Sequence, residues 1–223
     1  MKNITNKTLG ILGGGQLGKM IAVEASRLGI KTCIFDPNKN APAFQNANII
    51  VNSDYTNKKA LGQFVKNSDK VTYEFENIPL ESLNFLEKNS QIFPGIKALK
   101  YSQDRLLEKE FISNLGISVA PFYQIKNYVD VKGALEKLKG TAILKTRKFG
   151  YDGKGQHTIK KYRIPNIKNN IEKNKYIIEG IIKFKKEISV IVIIKKDGSV
   201  ICYEPSENKH INGILRETLF PAK

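Results

Sequence analysis

Lys145 ends a short apolar segment, and three glycines follow it at Gly150, Gly153 and Gly155. Arg147, Lys148 and Lys154 set cations on both sides of them. Such a loop can cradle a triphosphate. Glycine lets backbone N–H groups approach phosphate oxygens closely, and lysine supplies a compact point charge. The same residues would also make the lysine-rich tip of a β-hairpin, because turn glycines are common for steric reasons. Loop chemistry alone leaves both readings open. A Walker loop does not fit, since no Gly-Lys-Ser/Thr opens a helix here.

A second cluster, Gly13, Gly15 and Gly18, matches G-x-G-x-x-G. It follows an apolar segment and opens a helical pattern, and Asp36 stands at the end of the next strand pattern. That is a dinucleotide fingerprint with an anion site at a helix N-terminus. A tight strand-to-helix turn would need the same glycines. A nicotinamide enzyme is disfavoured, because the later loop has nucleotide chemistry of its own. In Tyr73-Glu-Phe-Glu-Asn-Ile-Pro79, a strand over 70–75 would point Glu74 and Glu76 the same way. It would set Glu76 and Asn77 at its carboxyl end, the edge that faces the ligand crevice of an open α/β sheet. Ordinary solvation of acidic loop residues is the alternative.

The elements that must position these groups alternate. Strands are predicted over 8–12, 31–35, 47–51, 70–75 and 91–93, and helices over 16–28, 57–66 and 80–88. Met20, Ile21, Ala25 and Leu28 fall on the apolar side of the first helix. Strand–helix alternation predicts an open parallel sheet covered on both faces. Pro94-Gly95 marks a turn and a domain edge. Ser102 reads as the N-cap of a helix to about 115, with Leu107, Phe111 and Leu115 on one face. A helix over 129–138, a strand over 141–145 and a return strand over 156–160 frame the glycine loop. Residues 166–174 are polar and read as peripheral. Strand character returns at 176–179. The β-branched run 187–194 reads as a central buried strand, and Asp197-Gly198 as a hairpin turn into 200–203.

Composition narrows the classes. At 223 residues with 41% hydrophobic content, the chain can bury one or two cores. Residues 1–8 are polar and lack the apolar core of a secretory signal, and no apolar stretch is long enough to span a membrane. Cys33 and Cys202 lack metal spacing and read as buried thiols in a reducing, cytoplasmic compartment. The net charge of +16 invites a nucleic-acid reading, but lysine supplies 32 of the 37 basic residues and they are scattered. Arginine-rich, aromatic-interleaved patches are missing, so nucleic acid is disfavoured as the main partner. A basic binding protein without catalysis stays as the competing class.

Several segments in register then resemble one family. They are Gly10-Ile-Leu-Gly-Gly-Gly-Gln-Leu-Gly-Lys-Met20, the 73–79 segment, Gln103-Asp-Arg105 with Lys109, and Gly150-Tyr-Asp-Gly-Lys-Gly-Gln156. Glu179, then Phe184 with Glu187-Ile-Ser-Val190, then Glu207-Asn-Lys-His-Ile-Asn-Gly-Ile-Leu-Arg216 continue it. The chain resembles the ATP-grasp ligases, and among them the N5-carboxyaminoimidazole ribonucleotide synthetases of purine biosynthesis. The resemblance implies a Rossmann-like pre-ATP-grasp domain over 1–98. A linker helix and small ATP-grasp subdomain over 99–175 and the start of the large subdomain over 176–223 would follow. It implies that Lys145 and Arg105 contact ATP, and that Gly150, Tyr151, Asp152, Gly153, Lys154, Gly155 and Gln156 form a lid. Glu179, Gly180, Ile181 and Ile182 would be the adenine hinge, Glu187 the ribose partner, and His210 a group near phosphate transfer. Tyr151, Asp152 and Glu76 would face aminoimidazole ribonucleotide and bicarbonate, with Gly15, Gln16, Leu17 and Arg216 on the substrate side.

The implied reaction passes through carboxyphosphate to a carboxylated amine. A formate-using ribonucleotide transformylase of the same superfamily is the nearest alternative. The family's magnesium ligands are expected beyond residue 223, so no metal ligand is assigned here. Glu187 and Glu207 would be too few on their own. The chain is accordingly expected to be C-terminally truncated and to have little or no synthetase activity alone. Quaternary state stays open, with a family-like homodimer among the options.

Overall fold

The computed structural model describes residues 5–150, 155–160, 175–211 and 213–223. They form two compact units, Met1–Phe111 and Ile112–Lys223.

The first unit is a parallel α/β sheet. Its strands are β1 (Thr8–Leu12), β2 (Lys31–Asp36), β3 (Ile49–Asn52) and β4 (Lys70–Tyr73), in the order β3-β2-β1-β4. All three pairings are parallel. Helices α1 (Gln16–Arg27), α2 (Lys58–Lys66), α3 (Leu80–Asn89) and α4 (Ile96–Ser102) surround it, and α5 (Arg105–Asn114) follows. Alternation along the strands supplies two cores. Ile11 and Ile34 pack with Ala22 of α1 and Ala43. Leu12, Cys33 and Phe35 pack with Leu61, Phe64, Leu83, Leu86 and Leu99 from α2, α3 and α4. Apolar residues at both parities of one strand are what a sheet buried on both faces requires.

The second unit begins with β5 (Phe122–Ile125), α6 (Tyr128–Lys137), β6 (Thr141–Thr146), β7 (Gln156–Lys160) and β8 (Tyr176–Gly180). The strands pair antiparallel in the order β5-β8-β6-β7. Asn127 opens α6 with a capping box, its side chain accepting from Val129 and Asp130 while Asp130 accepts from the Asn127 N–H. Val131, Ala134 and Leu135 of α6 pack on Ile125, Leu144, Ile159 and Ile178. Next come β9 (Glu187–Ser189), β10 (Val192–Ile194), β11 (Val200–Cys202), β12 (Ser206–Ile211) and β13 (Ile214–Leu219). They form a β10-β11 pair and a β13-β12-β9 sheet.

Six local expectations change. β4 stops at Tyr73, because the Glu74 N–H makes a last bond to Leu12 O at 3.0 Å and the chain then turns away. Glu74 and Glu76 therefore do not share a strand face. Ser102 ends α4 instead of capping a longer helix. Asp104 takes that role, its Oδ1 accepting from Leu106 N at 3.0 Å. Leu106, not Phe111 or Leu115, is the buried residue of α5, and Phe111 stacks on Tyr101. On α1 the buried positions are Gly18, Ala22 and Ala25, while Met20 and Leu28 are exposed. The 187–194 run is split into β9 and β10 and is largely exposed, and Cys202 is exposed as well. Residues 166–174 lie outside the described residues.

Candidate active site

In the first unit β1, β2 and β4 deliver their carboxyl ends to one edge of the sheet. Gly13 N donates to Phe35 O at 3.0 Å. Gly14 N donates to Asp36 Oδ2 at 2.7 Å and Gly15 N to Glu74 Oε1 at 2.9 Å. Asp36 also accepts from Asn38 N and from the Tyr55 hydroxyl. Burial pushes the Glu74 carboxyl above the ordinary carboxylate range. The Gly15 bond opposes that shift, and the neighbouring Asp36 charge adds to it. Burial, with Asp36 next to it, likewise raises the Tyr55 phenol. Gln16 and Leu17 are exposed at the start of α1, and Glu76 is exposed in the loop after β4. Gln103 pins that loop, its Nε2 donating to Glu76 O and Ile78 O at 2.6 Å each. Asp36 and Glu74, which sequence reasoning left unassigned, hold the backbone of the glycine turn. The signal was present in the fingerprint's acidic position and in the paired glutamates.

In the second unit Lys145 and Glu179 meet across β6 and β8. The register sets Ile143 opposite Glu179 and Lys145 opposite Ile177, so the charged pair is a diagonal on one face. Lys145 Nζ lies 2.8 Å from Glu179 Oε2, with the side chains 20% and 7% exposed. Gly180 closes β8, its N–H donating to Pro121 O at 2.8 Å. Ile181 and Ile182 follow in irregular, exposed backbone. Gly150 and Gly155 flank the tip of the β6–β7 hairpin, and Gln156 opens β7 opposite Lys145. Tyr151, Asp152, Gly153 and Lys154 lie outside the described residues. Arg105 is the first residue of α5.

A cleft of about 460 Å³ is lined by Phe184, Lys186, Glu187, Glu207, His210 and Leu219, among others. Antiparallel pairing of β9 and β12 sets Glu187 opposite Asn208, and His210 Nδ1 lies 3.1 Å from Glu187 Oε2. Lys186 pairs with Glu207 at 3.1 Å. Arg216 is exposed on β13. Among the described residues no three His, Cys, Asp or Glu side chains come together to hold a metal ion. None of the described helices is long and apolar enough to cross a membrane.

The ribonucleotide synthetase preATP-grasp domain matches residues 6–103, and the ATP-grasp domain matches residues 110–223. The chain belongs to the ATP-grasp family. The N5-carboxyaminoimidazole ribonucleotide synthase of Brucella melitensis is 39% identical over 218 residues, covering 96% of this chain and 60% of that protein. A Staphylococcus aureus N5-carboxyaminoimidazole synthetase, solved in complex with ADP, superposes with a TM-score of 0.91 at 36% identity. That match covers 100% of this chain and 60% of the other. An Aspergillus clavatus synthase, solved with ADP and 5-aminoimidazole ribonucleotide, gives 0.86 at 25% identity over 97% of this chain and 57% of its own. The chain thus spans about 60% of the length of the Brucella and Staphylococcus synthases that it matches.

Proposed function

We propose that this ATP-grasp chain carries out the nucleotide-binding part of an ATP-dependent carboxylation, in which bicarbonate is joined to the amine of 5-aminoimidazole ribonucleotide. The observation that carries this reading is the superposition of all its residues on a synthetase complexed with ADP. In this reading ATP supplies the phosphoryl group that activates bicarbonate.

The chain's own groups then have defined tasks. Lys145 neutralises phosphate charge, and Glu179, 2.8 Å away, orients its ammonium from the adjacent strand. Arg105 adds a second cation. Gly180, Ile181 and Ile182 offer backbone groups to adenine. Glu187 accepts a ribose hydroxyl, and His210, paired with it, stands near the transferring phosphate. Residues 150–156 cover the nucleotide and exclude water, which protects a labile acyl phosphate from hydrolysis. Tyr151, Asp152, Glu76, Gly15, Gln16, Leu17 and Arg216 take the substrate side. Positioning and charge neutralisation are what phosphoryl transfer asks of a protein. The two free thiols suit a reducing, cytoplasmic setting.

The test has two readouts. Calorimetric titration with ADP should give saturable binding that Lys145→Met weakens by at least about tenfold, as loss of a charge-assisted contact predicts. Whatever small release of ADP from ATP the chain supports alone should then rise with bicarbonate plus 5-aminoimidazole ribonucleotide. It should not rise with formate plus glycinamide ribonucleotide. Absence of ADP binding would sink the nucleotide role, and a preference for formate would reassign the acceptor chemistry.

A further inference from the structure

The loop after β4 turns at Glu76 and Asn77. Its flanks are anchored by apolar contacts, since Phe75 stacks on Tyr55 with ring centroids 6.1 Å apart and Ile78 is fully buried. The tip itself depends on one side chain. Gln103 Nε2 donates to Glu76 O and to Ile78 O, at 2.6 Å each. An amide nitrogen carries two N–H groups, so both are committed. The carbonyls before and after Asn77 are thus fixed by a single atom.

Gln103 also belongs to the joint between α4 and α5, which it and Asp104 alone make up. The Gln103 N–H closes α4 on Leu99 O at 2.9 Å, and Asp104 O accepts the first bond of α5 from Glu108 N at 2.9 Å. Asp104 is 3% exposed, and Leu99 and Leu106, before and after the joint, are buried. A joint bonded into both helices and walled by close-packed side chains moves as one piece. Arg105 follows at once, half-buried in the first turn of α5, where the helix dipole disfavours a cation.

We infer that Gln103 is a positioning residue that couples the nucleotide side of the site to its substrate side. The inference rests on the proposed function, which gives Arg105 to ATP and Glu76 to 5-aminoimidazole ribonucleotide. A phosphate drawn to Arg105 biases the α4–α5 joint, and Gln103 passes that bias to the carbonyls that set the Glu76-Asn77 tip. Linkage makes the effect reciprocal, so a substrate on Glu76 favours the nucleotide-bound arrangement. Gln103 need contact neither ligand, because it acts through the two carbonyls that it holds.

ADP titrated into the ¹⁵N-labelled full chain tests it, with the Glu76 and Asn77 amides as reporters and calorimetry run alongside. In the wild type both amides should shift along the same saturation curve as the heat. Gln103→Glu keeps the length but, as a carboxylate, has no hydrogen to donate. Its shifts should be lost while ADP still binds. Gln103→Lys restores the donors and should return part of the shift, whereas a role in filling space alone would leave the two variants alike. Should Gln103→Glu not fold, Gln103→Ala takes its place with the same expected loss. ADP binding without amide shifts in the wild type overturns the coupling and leaves the nucleotide reading intact. Shifts that persist in Gln103→Glu do the same. Absence of saturable ADP binding in the wild type removes the nucleotide reading and the coupling with it.

Discussion

The Lys145–Glu179 pair carries the clearest consequence of a single side chain. Glu179 is 7% exposed, so removing the Lys145 ammonium takes a charge partner away in a place water hardly reaches. Breaking such a pair from one side costs about 3–5 kcal/mol, whereas replacing both partners can be nearly neutral. Lys145→Met should therefore lower unfolding stability by about 3 kcal/mol in urea titrations. The double variant Lys145→Met/Glu179→Leu should recover most of that loss and still bind ADP at least about tenfold more weakly than the wild type. A single variant as stable as the wild type would show that the pair is not energetically coupled. The two thiols differ just as sharply. Cys202 is exposed and Cys33 is fully buried, so a thiol reagent should label one cysteine in the native chain and two after unfolding. Burial pushes the Cys33 thiol up to about 11 from 9.0. Between those values the folded state keeps a proton that the unfolded state has lost, so stability falls as pH rises through 9 to 11. Unfolding curves at both ends of that window should show the slope, and Cys33→Ala should flatten it.

Among the elements, the β6–β7 hairpin depends on Gly155. Its φ of 71° lies in the left-handed region, and an added Cβ would stand 2.5 Å from Thr146 Oγ1. Gly155→Ala should cost about 1–3 kcal/mol of local stability. Thr146→Ala in the same chain should relieve only the steric part, so hairpin amides should regain part of their exchange protection. Full recovery would mean that the backbone conformation is not strained. The elements also show where the sequence was legible. Alternating apolar and helical patterns set β1 at Thr8–Leu12 and β7 at Gln156–Lys160 as expected, because each strand's own side chains carry the period. The break between α4 and α5 was not legible. Ser102 and Asp104 are both good caps, and the choice is fixed by tertiary bonds such as Gln103 Nε2 to Ile78 O. The glycine turn was legible as a turn but not in its occupant, since Glu74 lies 59 residues from Gly15. The 187–194 run misled because β-branched residues report strand character, not what covers the strand.

Across the whole molecule, burial is unevenly shared. Every fully buried hydrophobic residue among those described lies at or before Ile178. Beyond it, β9 to β13 carry many exposed apolar side chains, from Leu219 at 39% to Ile194 at 73%. Among the described residues the β10-β11 pair is two strands without a third, and such a hairpin is marginal in water unless something packs on it. Apolar burial is the main source of stability, so this region should sit at the bottom of the stability range and the two sheets with buried cores at the top. Native-state hydrogen exchange resolves the gradient. Amides of β10 and β11 should exchange with little protection, while those of β1, β2, β6 and β8 should approach the limit set by global unfolding. Limited proteolysis should cut within β9 to β13 before it cuts within β1, β2, β6 or β8. Protection of β10 equal to that of β8 in dilute solution would refute the gradient. Protection that grows with protein concentration would instead show that the exposed strands are covered by association, as unpaired apolar edges favour.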